Sequence, residues 1–180
     1  MPFLSSIEEN ARPSTILKKF PESGRLIMQF TEQLIRGPAS LTTAERELIG
    51  AFTSGLNACQ FCCDTHSATA EVLGIPKGLI DDLIMDIDNA DITDKMKPLL
   101  KYVKKLTEKP TQVTQADVDA IFAAGWDEDA FYHAVSICGL FNYYNRLIEG
   151  YGVKSAPEYR DFIGERLANE GYSSALDHND

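Results

Sequence analysis

No apolar run in the sequence is long enough to cross a bilayer. The longest strongly apolar stretch, Ala134 to Phe141, falls far short of the roughly 20 residues a membrane helix needs. The opening segment MPFLSSIEENARPS has no basic stretch followed by an apolar one, so no secretory signal is expected and a cytoplasmic location is. Basic residues are in deficit, 17 against 27 acidic, which gives a net charge of −10 and a pI near 4.7. Such a field repels phosphate backbones and anionic lipid, so neither nucleic acid nor a membrane is an expected partner. Strand-like alternation is nearly absent, and no internal repeat suggests a solenoid. Cysteine is too sparse and too clustered for a disulfide framework: three of the four fall in CQFCC, residues 59–63.

What remains is helical. An apolar content of 44% with 24% charge is a globular balance that excludes disorder, and 180 residues suffice for one domain with a real core. We expect a single all-α domain over 1–180. Its core covers about 25–155, with an N-terminal extension at 1–22 and a C-terminal helix and frayed polar tail at 156–180. Periodicity predicts a helix from Ser23 to Arg36 that buries Leu26, Ile27, Phe30, Leu34 and Ile35 and is ended by Gly37-Pro38. A second begins at Thr42, where Thr42-x-x-Glu45 fits a capping box, and runs to about Asn57. A third runs from about Cys59 to Leu73, stopping at Gly74. Further helices are expected near 77–87, 94–108 and 114–124, from Glu128 to Gly150, and near 156–169. Lys97, Lys101, Lys104 and Lys105 share a face that reads as solvated. The acidic residues Asp81, Asp82, Asp86, Asp88, Asp91 and Asp94 lack the glycine and terminal Glu of a calcium loop and read as a solvated helix end.

The chemistry concentrates at Cys59-Gln60-Phe61-Cys62. Two cysteines three apart at a helix N-terminus can close a small disulfide, and the helix dipole there favours thiolate. His66 follows Cys62 by four residues and shares its face one turn on, where an imidazole can accept the thiol proton. That makes Cys62 the attacking thiol and Cys59 the resolving thiol or proton donor. If the chain reverses near Asn57-Ala58, the second and third helices run antiparallel and Glu47 lies opposite His66. Glu47, Gly50, Ala51, Ser54 and Ala58 form a lane of small residues there, and a carboxylate in that seam could orient His66 or carry its proton onward. Zinc is the rival for C-x-x-C, but a structural site needs four ligands and His133 and His178 lack the spacing. Cys63 and Cys138 read as core packing, and His133 as a satisfied core histidine.

The run Glu47, eleven residues, Cys59-Gln-Phe-Cys62, three residues, His66 resembles the motif of the AhpD-like alkylhydroperoxidases, within the carboxymuconolactone decarboxylase superfamily. The contexts ERELIGAFTSGLNACQFCCDTHSATAEVLG and FNYYNRLIEGYGV resemble its peroxidase-related subgroup, over roughly residues 25–155. The resemblance implies an AhpD-like helical bundle, an obligate homo-oligomer (trimer or hexamer), and metal-free reduction of hydrogen peroxide or small organic hydroperoxides. No bound cofactor is implied; a dithiol or redox protein would restore the enzyme. Carried over residue by residue, Cys62 becomes the sulfenic acid, Cys59 donates a proton and resolves, and Glu47 with His66 forms a proton relay. One position departs: well-studied members carry a second histidine between the cysteines where this chain has Phe61, which points to a weaker relay or a different reductant. Asn142, Asn145 and Arg146 match the late motif and are assigned mainly to packing or subunit contacts. Two other functions remain open. One is decarboxylase chemistry on a cyclic lactone acid, whose catalysts generally do without the cysteine pair; the other is a non-enzymatic thiol redox sensor.

Overall fold

The computed structural model describes residues 2–8, 11–154 and 157–173, excepting the side chains of 157 and 158. Among these the regular structure is helical: α1 (Pro13–Lys19), α2 (Pro21–Arg36), α3 (Thr43–Leu56), α4 (Gln60–Val72), α5 (Leu79–Met85), α6 (Met96–Glu108), α7 (Gln115–Ala123), α8 (Glu128–Tyr151) and α9 (Pro157–Glu170), with a 3₁₀ turn at Pro110–Gln112. The tail expected to fray lies, from residue 174 on, outside the described residues.

Helix α3 is the axis of the fold. Nine consecutive residues, Arg46 to Ser54, are buried, so the helix is wrapped on every side instead of presenting one stripe. Its start is set by the capping box: the Glu45 amide donates to Thr42 Oγ1 at 3.2 Å, and the Thr42 amide donates to Glu45 Oε2 at 2.8 Å. Buried Arg46 donates to the carbonyls of Leu34 (3.0 Å) and Gly37 (2.8 Å), which satisfies acceptors left open where α2 ends. At the other end the Cys59 amide reaches back to the Ser54 carbonyl at 3.0 Å and the Ala58 amide to Gly55 at 3.0 Å. Ala58 takes φ +54, the left-handed turn that closes a Schellman-type cap. The chain thereby reverses in two residues, and Cys59 becomes the N-cap of α4.

Two expectations need correction. In α2 the buried positions are Gly24, Met28, Thr31, Leu34 and Ile35, whereas Leu26 is 66% and Phe30 43% exposed. The stripe is rotated because Gly24 lies close against Leu17 of α1 and Thr31 is buried by hydrogen bonding, its hydroxyl 2.7 Å from that of Tyr144 on α8. Hydropathy alone assigns neither a glycine nor a threonine to a core. The N-terminal extension, in turn, contains α1 and contributes Ile7, Ala11, Ile16 and Leu17 to the core. The lysine face of α6 is solvated as read, with Lys97, Lys101, Lys104 and Lys105 paired to Asp94, Asp88, Glu108 and Asp117.

The small residue at position 50 serves α8, not only α4. A Cβ there would stand 2.5 Å from the ring of Phe141, which is fully buried and carries the edge-on ring of His66 at 4.5 Å. Gly50→Ala is expected to destabilise by about 1–3 kcal/mol through overpacking. At roughly 2–4 °C per kcal/mol for a chain of this size, the loss is readable in a thermal melt, and an unchanged midpoint would refute the contact.

Candidate active site

The α3–α4 hairpin brings the singled-out residues together. Gly55 lies beside Cys63 near the reversal and Glu47 beside His66 one helix-length away, so the two helices run in opposite directions. Glu47 is wholly buried. Its Oε2 lies 2.8 Å from Nδ1 of His66, and its Oε1 accepts from the Tyr172 hydroxyl at 2.7 Å and from Arg36 Nη2 at 3.4 Å. An ionised carboxylate has no hydrogen to give, so Nδ1 of His66 carries it and Nε2 keeps the lone pair. The same arginine donates to the carbonyls of Leu167 and Ala168 at the end of α9.

Cys62 and His66 line one pocket of about 90 Å³ between α4, α8, α9 and the start of α1. Its other walls are largely apolar, among them Phe61, Met28, Ile148, Ile163 and Leu167, with Arg12 and Arg166 as basic lining groups. Phe61, where related motifs carry a histidine, packs toward Tyr159 of α9 with ring centroids 6.2 Å apart. Cys59 is fully buried and absent from the pocket wall; Cys62 is 4% exposed and forms part of it.

A hydrogen bond makes the two thiols unlike. Cys59 is held below the ordinary thiol range, first because the Cys62 side chain donates to it and then by the Cys62 amide, against the opposing effect of burial. Cys62 is pushed up by the same contact, by burial and by the charge facing it, while Asn145 acts in the opposite direction by hydrogen bonding to it. The spacing points the Cys62 proton at His66; the acceptor it meets is Cys59, and no hydrogen bond joins His66 to either sulfur among the described residues. Cys63 is pushed up by burial to about 11, and Cys138 is raised for the same reason. Cys138 is packed in α8, with its sulfur 3.2 Å from the Thr107 hydroxyl. His133 is buried with Nδ1 2.9 Å from the Asp129 carbonyl, away from the thiols. No group of three or more His, Cys, Asp or Glu side chains among the described residues is arranged to hold a metal ion.

Three participants were missed or misjudged from the sequence. Arg36 looked like the last residue of a helix, and Tyr172 stood beside a polar tail; only the glycine before it hinted at a turn. Asn145, assigned to packing, does pack, donating to Ser54 Oγ (2.9 Å) and accepting from Asn57 (2.8 Å), yet it also reaches Cys62.

Residues 21–105 match the carboxymuconolactone decarboxylase family. No curated protein matches the chain. Several solved structures share its fold. An uncharacterised peroxidase-related protein from Silicibacter sp. TM1040 is 23% identical, with a TM-score of 0.73 over 81% of this chain and 78% of that one. An uncharacterised peroxidase-related protein from Ralstonia eutropha JMP134, described as an alkylhydroperoxidase AhpD core, is 23% identical, with a TM-score of 0.75 over 83% and 78%. A protein of unknown function from Agrobacterium tumefaciens, suggested to be the antioxidant defence protein AhpD, is 18% identical, with a TM-score of 0.67 over 83% and 99%. At these identities the likeness is one of fold. No helix among the described residues is long and apolar enough to cross a membrane.

The thiol environments predict a distinctive titration. Absorbance of thiolate near 240 nm in the reduced protein should show one of the four sulfurs ionising below the free-cysteine range and the other three above it. Two sulfurs titrating together at the ordinary cysteine value would contradict the hydrogen bond between them.

Proposed function

We propose, from the match of residues 21–105 to the carboxymuconolactone decarboxylase family and the fold shared with AhpD-like peroxidase-related proteins, that this chain reduces hydroperoxides through the Cys59–Cys62 pair. The observation that carries the reading is the division of labour between the sulfurs: one buried and held below the ordinary thiol range, the other facing a pocket that also contains His66.

Cys59 is the more readily ionised of the pair, and the reacting form is the one with Cys59 as thiolate and Cys62 as thiol. As the Cys62 sulfur attacks the hydroxyl-bearing oxygen of the peroxide, its proton passes to Cys59 and the O–O bond breaks. Cys62 becomes a sulfenic acid, and the departing alkoxide takes a proton from Nε2 of His66 once solvent has charged the ring there, the imidazolium being held by the Glu47 carboxylate. The Cys59 thiol then condenses with the sulfenic acid to a disulfide and releases water. An external dithiol or redox protein supplies two electrons and two protons to reopen it. The net change is one peroxide and one dithiol to one alcohol, one water and one disulfide. The apolar walls beside Cys62 favour a small organic hydroperoxide over hydrogen peroxide. Self-association into trimers or hexamers belongs to the proposal, with Leu26 and Phe30 of α2 offering apolar surface to a second copy.

The test is turnover of cumene or tert-butyl hydroperoxide with excess dithiol. The wild type should consume many equivalents and Cys62→Ser none; Cys59→Ser, which loses both the acceptor of the Cys62 proton and the resolving thiol, should react slowly and, with dithiol withheld, stop at a sulfenic acid trapped by dimedone. Glu47→Gln should lower the rate by about 10²–10⁴-fold, as expected on losing a proton-transfer partner. Consumption of a single equivalent by the wild type would instead identify a redox sensor, and full activity in Cys62→Ser would refute the assignment.

A further inference from the structure

The turn after α9 is tied down from α2. Glu32 Oε2 accepts from the backbone amides of Tyr172 at 2.6 Å and Ser173 at 3.2 Å. Gly171 adopts φ +72, and a Cβ there would stand 2.7 Å from the same carboxylate oxygen, so the clamp needs a glycine at that point. With its backbone fixed in this way, Tyr172 turns inward. Its ring lies nearly parallel to that of His66, centroids 6.2 Å apart at 16°, and its hydroxyl sits 2.7 Å from Glu47 Oε1 and 3.2 Å from His66 Nδ1. Enclosure by protein, and then the adjacent Glu47 charge, push the ionisation of this phenol up, so it remains an O–H donor.

We propose that Tyr172, held by Glu32, is a positioning residue of the thiol site: it fixes Glu47 and His66 in the arrangement that leaves Nε2 bare on the pocket side. The inference rests on the roles given above to Cys62, His66 and Glu47. It makes the segment beyond the last helix a working part of the site. Phenylalanine would fill the same space; the hydroxyl adds only the contacts to Glu47 and His66. Without that donor only Arg36 and the Nδ1 hydrogen of His66 hold the Glu47 carboxylate, and the imidazole loses the contact that fixes its orientation. The other ionisable groups around the pair are Arg36 on α2, Arg46 beside Glu47 on α3, Cys62 on α4, Tyr144 on α8, Arg166 on α9 and Arg12 ahead of α1. All are unchanged in the variants below and set the same background in each.

The measurement is the tautomer of His66, read from the nitrogen-15 shifts of its ring in the reduced protein. It is made on wild type, Tyr172→Phe and Glu32→Gln, with thermal melts alongside. In the wild type the Nδ1 and Nε2 resonances should stand far apart, as for a ring whose hydrogen stays on Nδ1. In Tyr172→Phe they should draw together as the second tautomer becomes populated, and in Glu32→Gln, which keeps the hydroxyl but loosens the turn, by less. Unaltered shifts in Tyr172→Phe overturn the proposal. If that variant fails to fold, Glu32→Gln decides: displaced shifts support the role and unaltered ones overturn it. The readout needs no peroxide, so absence of peroxide turnover would sink the peroxidase reading while this result still stands.

Discussion

Everything around the thiols follows from one buried negative charge. Glu47 has no contact with water, and a carboxylate so placed is tolerated only when its oxygens are paired; stripping a partner from such a charge typically costs about 3–5 kcal/mol. Its partners arrive from three separate parts of the chain: Arg36 from the end of α2, His66 from α4 and Tyr172 from the turn after α9. Satisfying the charge therefore assembles the site. It also closes the domain, because Arg36 reaches onward to carbonyls in the last turn of α9, where open acceptors and the negative helix end both favour a cation.

The second constraint is the reversal between α3 and α4. A single left-handed residue, Ala58, ends one helix and hands the chain directly to the N-cap of the next. The cap position is a cysteine, so a sulfur sits where unpaired amides and the positive helix end favour negative charge. Cys62 follows three residues later, within reach of that sulfur and on the face that looks into the pocket. Accessibility and ionisation are thus assigned to different cysteines, an arrangement that depends on the two-residue turn being this tight.

Much of this was legible in the residues and some was not, for identifiable reasons. The capping box at Thr42, the stop at Gly74 and the break near Asn57-Ala58 are short-range signals, and they located α3, α4 and the antiparallel seam within a residue or two. The Glu47–His66 contact followed from spacing alone once the reversal was granted. The rotation of α2 was hidden, because it depends on which residues α1 and α8 present, and Gly24 and Thr31 carry no hydrophobic signal. Helix α1 was missed because one short helix gives too few turns for a period to show. Tyr172 was out of reach for a different reason: it meets Glu47 at a sequence separation of 125, and nothing local marks a tyrosine in a polar segment as inward-facing. The charge on Cys59 depends on where the Cys62 side chain points, which spacing along a helix leaves undetermined.

The complete enclosure of Cys59 bears on how an oxidised pair could be reopened. An incoming sulfur nucleophile can approach only from the pocket, so it must strike Cys62 and form the mixed disulfide there. Cys59 is then the leaving group; Cys62 has no S–H left to offer it, and the Cys62 amide at the start of α4 is what remains to hold the departing thiolate. A rescuing partner thus has one door and one order of events, and its reactive end must be slim enough to pass between Phe61 and the helices opposite.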